Sequence, residues 1–503
     1  MNEETDMPAR ILDSSFDPRI AVRRDDVSEI AHLHAENHRL AERIDELERR
    51  ISLQPQSGLP THFRLEVELD SLIEKSKGSL ESGFTLLIIQ LGEDFQAVRK
   101  TIKGHLTEWI LYQTGARIAA QLREGDLLFH TRENEFVMLL LGMKGEPLVE
   151  FLRDLVSRLS EPHVFSGLSI SLTASVGGAY WPEHGIERSR LLQYADIAAA
   201  TSRERGKTFT LFRPALQTEA AEKVELRSAI VKAIERNNQE TLGEQFFIVF
   251  QPKLFMSALD GDLMKVETIE AEILIRWRHP ERGVIRPDLF IPLAEETGLI
   301  LPLGKWLIYE STRRLAHSLR EAPVCSGMSI NLSARQFHSD DAIEVLTTAM
   351  TRSGVTSDKL TIEITETSLF DDPENAALML SRFKDLGLRI SLDDFGTGYS
   401  SLSHLHRFPL SEIKIDRQFV EHLATSREDQ VIVRSLVAIA KGMGLSLVAE
   451  GVEEADAIKI LWDMGCTGFQ GYHFAKPLSE EDFIAFCKRI ADRGMTWDLA
   501  HPG

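Results

Sequence analysis

Asp393 and Asp394 close a short apolar run, Arg389-Ile-Ser-Leu, and lead into Phe395-Gly-Thr-Gly-Tyr399. Two adjacent carboxylates at a strand end, followed by a glycine-hinged loop, suit a pair of divalent cations, because Mg²⁺ and Ca²⁺ prefer hard oxygen ligands. Two such cations clamp the attacking and leaving oxygens of a phosphoryl displacement. In isolation an Asp-Asp-x-Gly reads as an acidic turn that caps a strand. The recurrence of polar residues at the same structural position argues for chemistry instead.

The C-terminal half repeats one unit, in which an apolar run ends in a polar residue and a helical segment follows. Met328-Ser-Ile ends at Asn331, Leu360-Thr-Ile at Glu363, Ile390-Ser-Leu at Asp393 and Leu445-Ser-Leu-Val-Ala at Glu450. Ile413 precedes Lys414, and Gly468-Phe precedes Gln470. Segments 341–353, 374–386, 428–443 and 454–464 read as helices. Gly354, Gly387, Gly444 and Gly465 stand after them, where a left-handed C-terminal cap is expected. Strands and helices alternating at this spacing imply a parallel sheet. Over about 250 residues that is most simply a (β/α)₈ barrel, whose chemistry gathers at the C-terminal strand ends. Glu272, in Glu272-Ile-Leu-Ile-Arg276, adds a further carboxylate from an apolar strand. So many acids at one mouth repel one another unless cations neutralise them. Lys414 among them is either a buried ion-pair partner or the group that orients a metal-bound water.

On these residues the segment 243–495 resembles the EAL-domain family of cyclic di-GMP phosphodiesterases. The matching pieces are Gln251-Pro252, Glu272-Ile-Leu, Asn331-Leu-Ser, Glu363-Ile-Thr-Glu366, Asp393-Asp-Phe-Gly-Thr-Gly-Tyr-Ser400, Lys414-Ile-Asp416, Glu450-Gly and Gln470-Gly-Tyr. The resemblance implies two Mg²⁺ or Mn²⁺ ions per site. Glu272, Asn331, Glu363 and Asp393 would hold one. Asp393 and Asp394 would share the other, with Glu450 near it or acting as base. Lys414 would hold the nucleophilic water, and Gln251, Arg276, Asp416 and Gln470 would contact the nucleotide. Glu366 would steady the Asp-Phe-Gly loop. Two departures stand out: Ile273 replaces the family's alanine, and the hairpin through Met256-Ser-Ala-Leu-Asp-Gly-Asp262 is long. Neither removes a ligand, so the site is read as intact.

At 503 residues the chain suggests roughly three domains. Its formal charge of −20, from 57 basic and 77 acidic residues, disfavours a polymeric nucleic acid partner, which calls for basic surface. A small dinucleotide held through metal ions escapes that objection. Cys325, Cys466 and Cys487 form no Cys-x-x-Cys pair and are too few for a disulfide framework, so a reducing cytoplasm is the expected setting. No apolar run is long enough to span a membrane, and the acidic N-terminus is unlike a signal peptide.

Ile30, Leu33, Asn37, Leu40, Ile44, Leu47 and Ile51 alternate steps of three and four, which fits a heptad seam within residues 1–55. β-branched a positions with leucine at d favour two parallel strands, and a lone asparagine at a fixes register. A homodimeric coiled coil is expected. Arg43 and Glu48 fall at g and e′, an attractive pair across such a dimer. His34 and His38 fall on the solvated face.

Residues 57–213 resemble a GGDEF (diguanylate cyclase) domain of the α/β type, with strands at Phe84-Thr-Leu-Leu-Ile-Ile, Val137-Met-Leu-Leu-Leu and Ser171–Gly177 and a helix from Tyr194 to Gly206-Lys207. Aligned on Phe136, the family's Gly-Gly-Asp-Glu is Arg132-Glu133-Asn134-Glu135, and its metal-binding aspartate is Gln90. Glycines permit close backbone approach; Arg and Glu side chains fill that space. The domain is therefore expected to be catalytically inactive and regulatory. Arg123-Glu-Gly-Asp126 stands where the family carries an Arg-x-x-Asp product site, so Arg123 and Asp126 are a candidate allosteric nucleotide site. Arginine forks onto the guanine O6/N7 edge; the competing reading is an exposed turn with an ion pair. The charged segment 214–242 is expected to be a helical linker.

Two functions compete. One is metal-dependent hydrolysis of cyclic di-GMP to linear pGpG. The other is a non-enzymatic cyclic di-GMP receptor that signals to a protein partner. A receptor should have lost part of the ligand set; this sequence keeps all of it.

Overall fold

The structure, a computed structural model, describes residues 52–77, 83–101, 105–235, 242–339, 341–370, 372–396 and 405–501, with His32, Glu36, His38 and Arg39. The heptad seam from Ile30 to Ile51 lies outside the described residues. So do residues 397–400 of the Asp-Phe-Gly loop. The chain divides into two compact units, Met1–Glu222 and Lys223–Gly503.

The first unit is built from α1 (His62–Ser76), β1 (Phe84–Leu91), α2 (His105–Ala119), β2 (Leu127–Arg132), β3 (Glu135–Leu141), α3 (Glu146–Leu159), β4 (Ala174–Trp181), α4 (Arg188–Glu204) and β5 (Phe209–Leu211). Its sheet runs β2-β3-β1-β4-β5, antiparallel except for the β4–β5 pair. Side chains alternate across a strand. Phe84, Leu86 and Ile88 of β1 therefore pack with α1 and α4 residues such as Leu69 and Ala195. Leu87, Ile89 and Leu91 pack on the other side with Ile110 of α2 and Leu152 of α3. Gly177 on β4 lets α4 lie close: a Cβ there would sit 2.1 Å from the Ala199 amide nitrogen. The helix expected from Tyr194 begins earlier, at Arg188.

Helix α5 (Pro214–Glu235) contains the division between the units. Leu216 belongs to the first unit's core; Leu226, Ile230 and Ile234 belong to the second's.

The second unit is a closed eight-strand barrel. Its elements are β6 (Phe246–Asp260), β7 (Leu263–His279), α6 (Ile300–Glu321), β8 (Cys325–Asn331), α7 (Ala342–Ser353), β9 (Leu360–Thr365), α8 (Pro373–Asp385), β10 (Arg389–Phe395), β11 (Glu412–Ile415), α9 (Arg427–Met443), β12 (Ser446–Ala449), α10 (Ala455–Met464), β13 (Gly468–Gln470) and α11 (Glu480–Asp492). Strands β7 to β13 run parallel in chain order, and β6 closes the ring between β13 and β7. The all-parallel pattern of a (β/α)₈ barrel fails at one strand: β6 is antiparallel to both neighbours. The cause is local. Only Gly261 and Asp262 separate β6 from β7, and Gly261 has φ +59°. A two-residue turn reverses the chain into an antiparallel partner, whereas parallel strands need a long crossover. Gly354, Gly444 and Gly465 are left-handed caps of α7, α9 and α10, as the sequence implies.

Alternation also loads the barrel interior with charge. In β11, Ile413 and Ile415 join the hydrophobic core, while Glu412 and Lys414 meet Lys253, Glu272 and Glu363 across the lumen. Among the described residues, no helix is long and apolar enough to cross a membrane.

Candidate active site at the barrel mouth

Lys414 stands at the centre of the C-terminal strand ends. Its Nζ lies 3.0 Å from Glu363 Oε2, 3.2 Å from Asp393 Oδ1 and 3.3 Å from Glu272 Oε2, and it also contacts Glu450 Oε1. The register produces this cluster. Asn331 on β8 pairs with Glu363 on β9, and Thr365 on β9 pairs with Asp393 on β10, so the strand-end polar groups climb one ring. Asn331 Nδ2 donates to Glu272 Oε1 at 2.6 Å, and Gln470 Nε2 donates to Glu272 Oε2 at 2.7 Å.

Burial penalises the Lys414 charge, yet Asp393, Glu272, Glu363 and Glu450 together hold its pKa well above the usual lysine range. Burial likewise opposes charge on Glu363, but Lys414 and Lys253 bring its pKa down to about 2. Burial raises Glu272 and Glu450, and neighbouring carboxylates add to the rise. Asp394 is pushed up to about 6 by burial, Asp393 and Asp416. It has φ +56°, a conformation uncommon outside glycine, and its amide donates to Asp393 Oδ1 at 3.0 Å.

The remaining candidate residues take their own places. Glu366 Oε2 accepts from the Gly396 amide at 3.0 Å, tying it to the start of the glycine loop. Asp416 caps the short helix Arg417–Val420 by accepting from the Gln418 amide at 2.7 Å. Gln251 pairs with Glu272 across β6–β7 and donates to the Ala475 carbonyl at 2.6 Å. Arg276 donates to the Ile275 carbonyl at 2.8 Å, and burial lowers its pKa.

The oxygens of Glu272, Asn331, Glu363, Asp393, Asp394 and Glu450 form a hard donor set with excess negative charge, and Gln470 Oε1 is a buried acceptor with no donor. By donor type they fit Mg²⁺ or Mn²⁺. Among the described residues, no group of three or more His, Cys, Asp or Glu already has metal-cage spacing. The Lys414 ammonium occupies the centre instead.

Three buried charged residues stand outside the sequence motifs, Lys253, Glu270 and Glu412, and the half-buried Arg389 pairs with the latter two. Lys253 and Glu412 each lie two residues from a candidate site residue on the same strand face, Gln251 and Lys414. That period-two spacing is the one signal that could have found them.

In the first unit, Gln90 and residues 132–135 are held by side-chain contacts, partly with one another and partly with neighbouring residues. Gln90 Nε2 donates to Glu135 Oε2 at 3.1 Å and to Asp196 Oδ1 at 3.2 Å, while Arg203 Nη1 donates to Gln90 Oε1 at 3.1 Å. Arg132 Nη1 lies 3.5 Å from Glu135 Oε2, and Arg99 pairs with Glu133. Arg123 and Asp126 also pair with each other, Nε to Oδ2 at 3.1 Å.

An α/β-sheet unit followed by a closed barrel with a charged, lysine-centred mouth defines a two-domain α/β protein. Residues 54–209 match the diguanylate cyclase, GGDEF domain, and residues 234–477 match the EAL domain. The chain belongs to the proteins that carry GGDEF and EAL domains in tandem. It is 32% identical over 428 residues to the bifunctional diguanylate cyclase/cyclic di-GMP phosphodiesterase MucR of Pseudomonas aeruginosa, covering 85% of this chain and 60% of that protein. It is 32% identical over 439 residues to the cyclic di-GMP phosphodiesterase PdeR of Escherichia coli, covering 87% and 63%. The chain thus spans about 60% of the length of these relatives. The S helix-GGDEF-EAL structure of Vibrio cholerae LapD shares the fold, with TM-score 0.57 at 16% identity over 86% of this chain and 98% of that one.

Proposed function

We propose that the barrel hydrolyses cyclic di-GMP to linear pGpG. The observation that carries this reading is the unbroken ring of Glu272, Asn331, Glu363, Asp393 and Glu450 around Lys414. Mg²⁺ or Mn²⁺ held by Glu272, Asn331, Glu363, Asp393 and Asp394, with Glu450 near the second ion or acting as base, would acidify a bound water and offset charge on the phosphate. Lys414 keeps its proton and directs the attacking water by a hydrogen bond from Nζ. Glu450, which contacts Lys414 at the edge of the cluster, is the carboxylate placed to accept, as base, the proton that the water gives up. The water oxygen bonds to phosphorus, one ring P–O bond breaks, and the departing oxygen takes a proton from solvent. Asn331 and Gln470 fix the Glu272 carboxylate. Gln251, Arg276, Asp416 and Gln470 line the nucleotide's path, and Glu366 steadies the loop after Asp394.

The first unit, residues 57–213, serves as a regulatory module without cyclase activity, with Arg123 and Asp126 as its nucleotide contact. Segment 214–242 links it to the barrel domain, 243–495. Residues 1–55 drive a parallel homodimer. Sedimentation of the full chain against one starting at Ser57 tests the last point; equal dimer affinity counts against it. The central test is direct. Purified chain is incubated with cyclic di-GMP in Mg²⁺, Mn²⁺ or chelator and the products are separated. Metal-dependent pGpG is expected; tight binding with no product would favour a receptor.

A further inference from the structure

The barrel holds a second buried lysine that the proposed chemistry does not use. Lys253, on β6, is wholly buried. Its Nζ lies 3.1 Å from Glu363 Oε1 and 3.6 Å from Glu412 Oε1. The other oxygen of Glu363, Oε2, lies 3.0 Å from Lys414 Nζ. Glu363 is therefore held between two ammonium groups, one on each oxygen. Glu412 is anchored in turn: Ser391 Oγ donates to its Oε1 at 2.8 Å, and Arg389 Nη2 lies 3.6 Å from its Oε2. Arg389 Nη1 donates to Glu270 Oε1 at 2.5 Å. A continuous chain of charge runs from Glu270 beneath the mouth to Lys414 within it.

A buried carboxylate with one oxygen pinned cannot turn that oxygen elsewhere. We propose that Lys253 is a positioning residue for metal binding: it holds Glu363 Oε1 inside the barrel, so that Oε2 alone is offered to a divalent cation at the mouth. This inference rests on the reading of the mouth as a metal site. Lys253 has a second effect. It offsets Glu412, so the charge of Glu363 is not spent repelling another carboxylate below it. Groups that orient a metal ligand from behind typically change metal affinity or activity by about 10–100-fold when removed.

The alternative is an ion pair that only braces β6 against β9 and β11. Buried pairs of that kind are often replaceable by neutral residues without loss of stability. The two roles part company in a charge-balanced variant. Lys253→Met leaves both Glu363 and Glu412 facing no ammonium from below. Lys253→Met/Glu412→Gln removes the pair together but still leaves Glu363 Oε1 unpinned.

The experiment is calorimetric titration of Mn²⁺ into the full chain, with thermal midpoints recorded for wild type and both variants. We expect the Mn²⁺ affinity to fall about 10–100-fold in both variants, while the double variant regains most of the midpoint lost by the single one. A double variant that is stable and binds Mn²⁺ like wild type overturns the inference, and it does so even where Lys253→Met alone does not fold. A wild-type chain that takes up no Mn²⁺ overturns the metal reading itself, and this inference with it.

Discussion

Lys414 Nζ sits 3.0 Å from Glu363 Oε2, and both side chains are buried. Taking two charges out of water costs several kcal/mol per ion after relaxation. Three more carboxylates crowd the same ammonium, from Glu272, Asp393 and Glu450. Even with Lys253 on the other oxygen of Glu363, two ammonium groups face four carboxylates, which leaves the mouth short of positive charge. That deficit is the physical case for divalent ions there, and it makes the single carboxylates individually testable.

Asp393 is the sharpest of these. Its Oδ1 lies 3.2 Å from Lys414 Nζ and accepts from the Asp394 amide. Asp393→Asn keeps the shape and removes the charge of the group assigned to both cations. Turnover of cyclic di-GMP should fall at least ~100-fold, equivalent to about 2.7 kcal/mol in the barrier. Circular dichroism and gel filtration should match wild type. A folded Asp393→Asn protein with ordinary turnover would falsify the ligand assignment.

The strand ends are legible in the sequence because their signals are local. Asn331, Glu363, Asp393 and Glu450 each close an apolar run, and Gly354, Gly444 and Gly465 mark helix ends where their left-handed caps are found. The buried network under them is not legible. Whether Lys253 and Glu412 face the lumen is decided by closure of the ring between β6 and β13, which pairs Lys253 with Gln470, segments far apart in the sequence. The antiparallel run of β6 is obscured for a related reason. The strand–helix rhythm that implies parallel strands starts only at β8 and carries no information on β6. The hairpin at Gly261-Asp262 is the one local sign of the reversal. The pairing of Arg123 with Asp126 is a matter of side-chain geometry, which spacing leaves undetermined.

GTP should not be cyclised. Gln90 joins Glu135 and Asp196, which leaves these carboxylates hydrogen-bonded within the protein. Arg132 and Glu133 stand where close backbone approach is needed, and Arg99 holds Glu133. The assay uses a chain carrying Glu272→Gln, so that hydrolysis does not erase the product. Cyclic di-GMP formed from GTP and Mg²⁺ in that variant would sink the inactive-domain reading. The resemblance to MucR, a protein named as bifunctional, makes the assay necessary.

Acid should loosen the first unit through a buried histidine. His130 is fully buried, stacks on Phe136 and bonds Ser57 Oγ through Nδ1 at 2.8 Å. Burial lowers its pKa from 6.5 to about 4, against a small opposing backbone bond. Between those values the unfolded chain binds a proton that the folded chain does not, so stability rises with pH. The contribution is complete above pH 6.5 and is lost as pH falls toward 4. His163, lowered to about 4 by burial and then Arg117, acts in the same direction. Hydrogen exchange of β1 and β3 amides at about pH 7 and about pH 5 should show protection falling at the lower pH after correction for intrinsic rates. His130→Gln should flatten the difference; an unchanged slope would show that the histidine is not its source.

Arg123 and Asp126 can be separated by what each loses. The Asp126 side chain is almost wholly buried and accepts from the Arg123 amide at 3.0 Å, Arg123 Nε at 3.1 Å and the Leu141 amide at 2.9 Å. Asp126→Ala leaves buried donors without partners and should cost about 1–3 kcal/mol of stability. Arg123 is half exposed, so Arg123→Ala should cost less. If the pair also receives a nucleotide, Arg123 must swing from Asp126 onto it, and the coupling to the barrel is bounded at about 1–3 kcal/mol. Equilibrium binding of cyclic di-GMP to the full chain carrying Glu272→Gln, with and without Arg123→Ala, reads this out. The expected result is one site fewer in the Arg123→Ala chain at nearly unchanged thermal midpoint. Equal stoichiometry in both would leave Arg123-Glu-Gly-Asp126 as a turn clamp for β3 and nothing more.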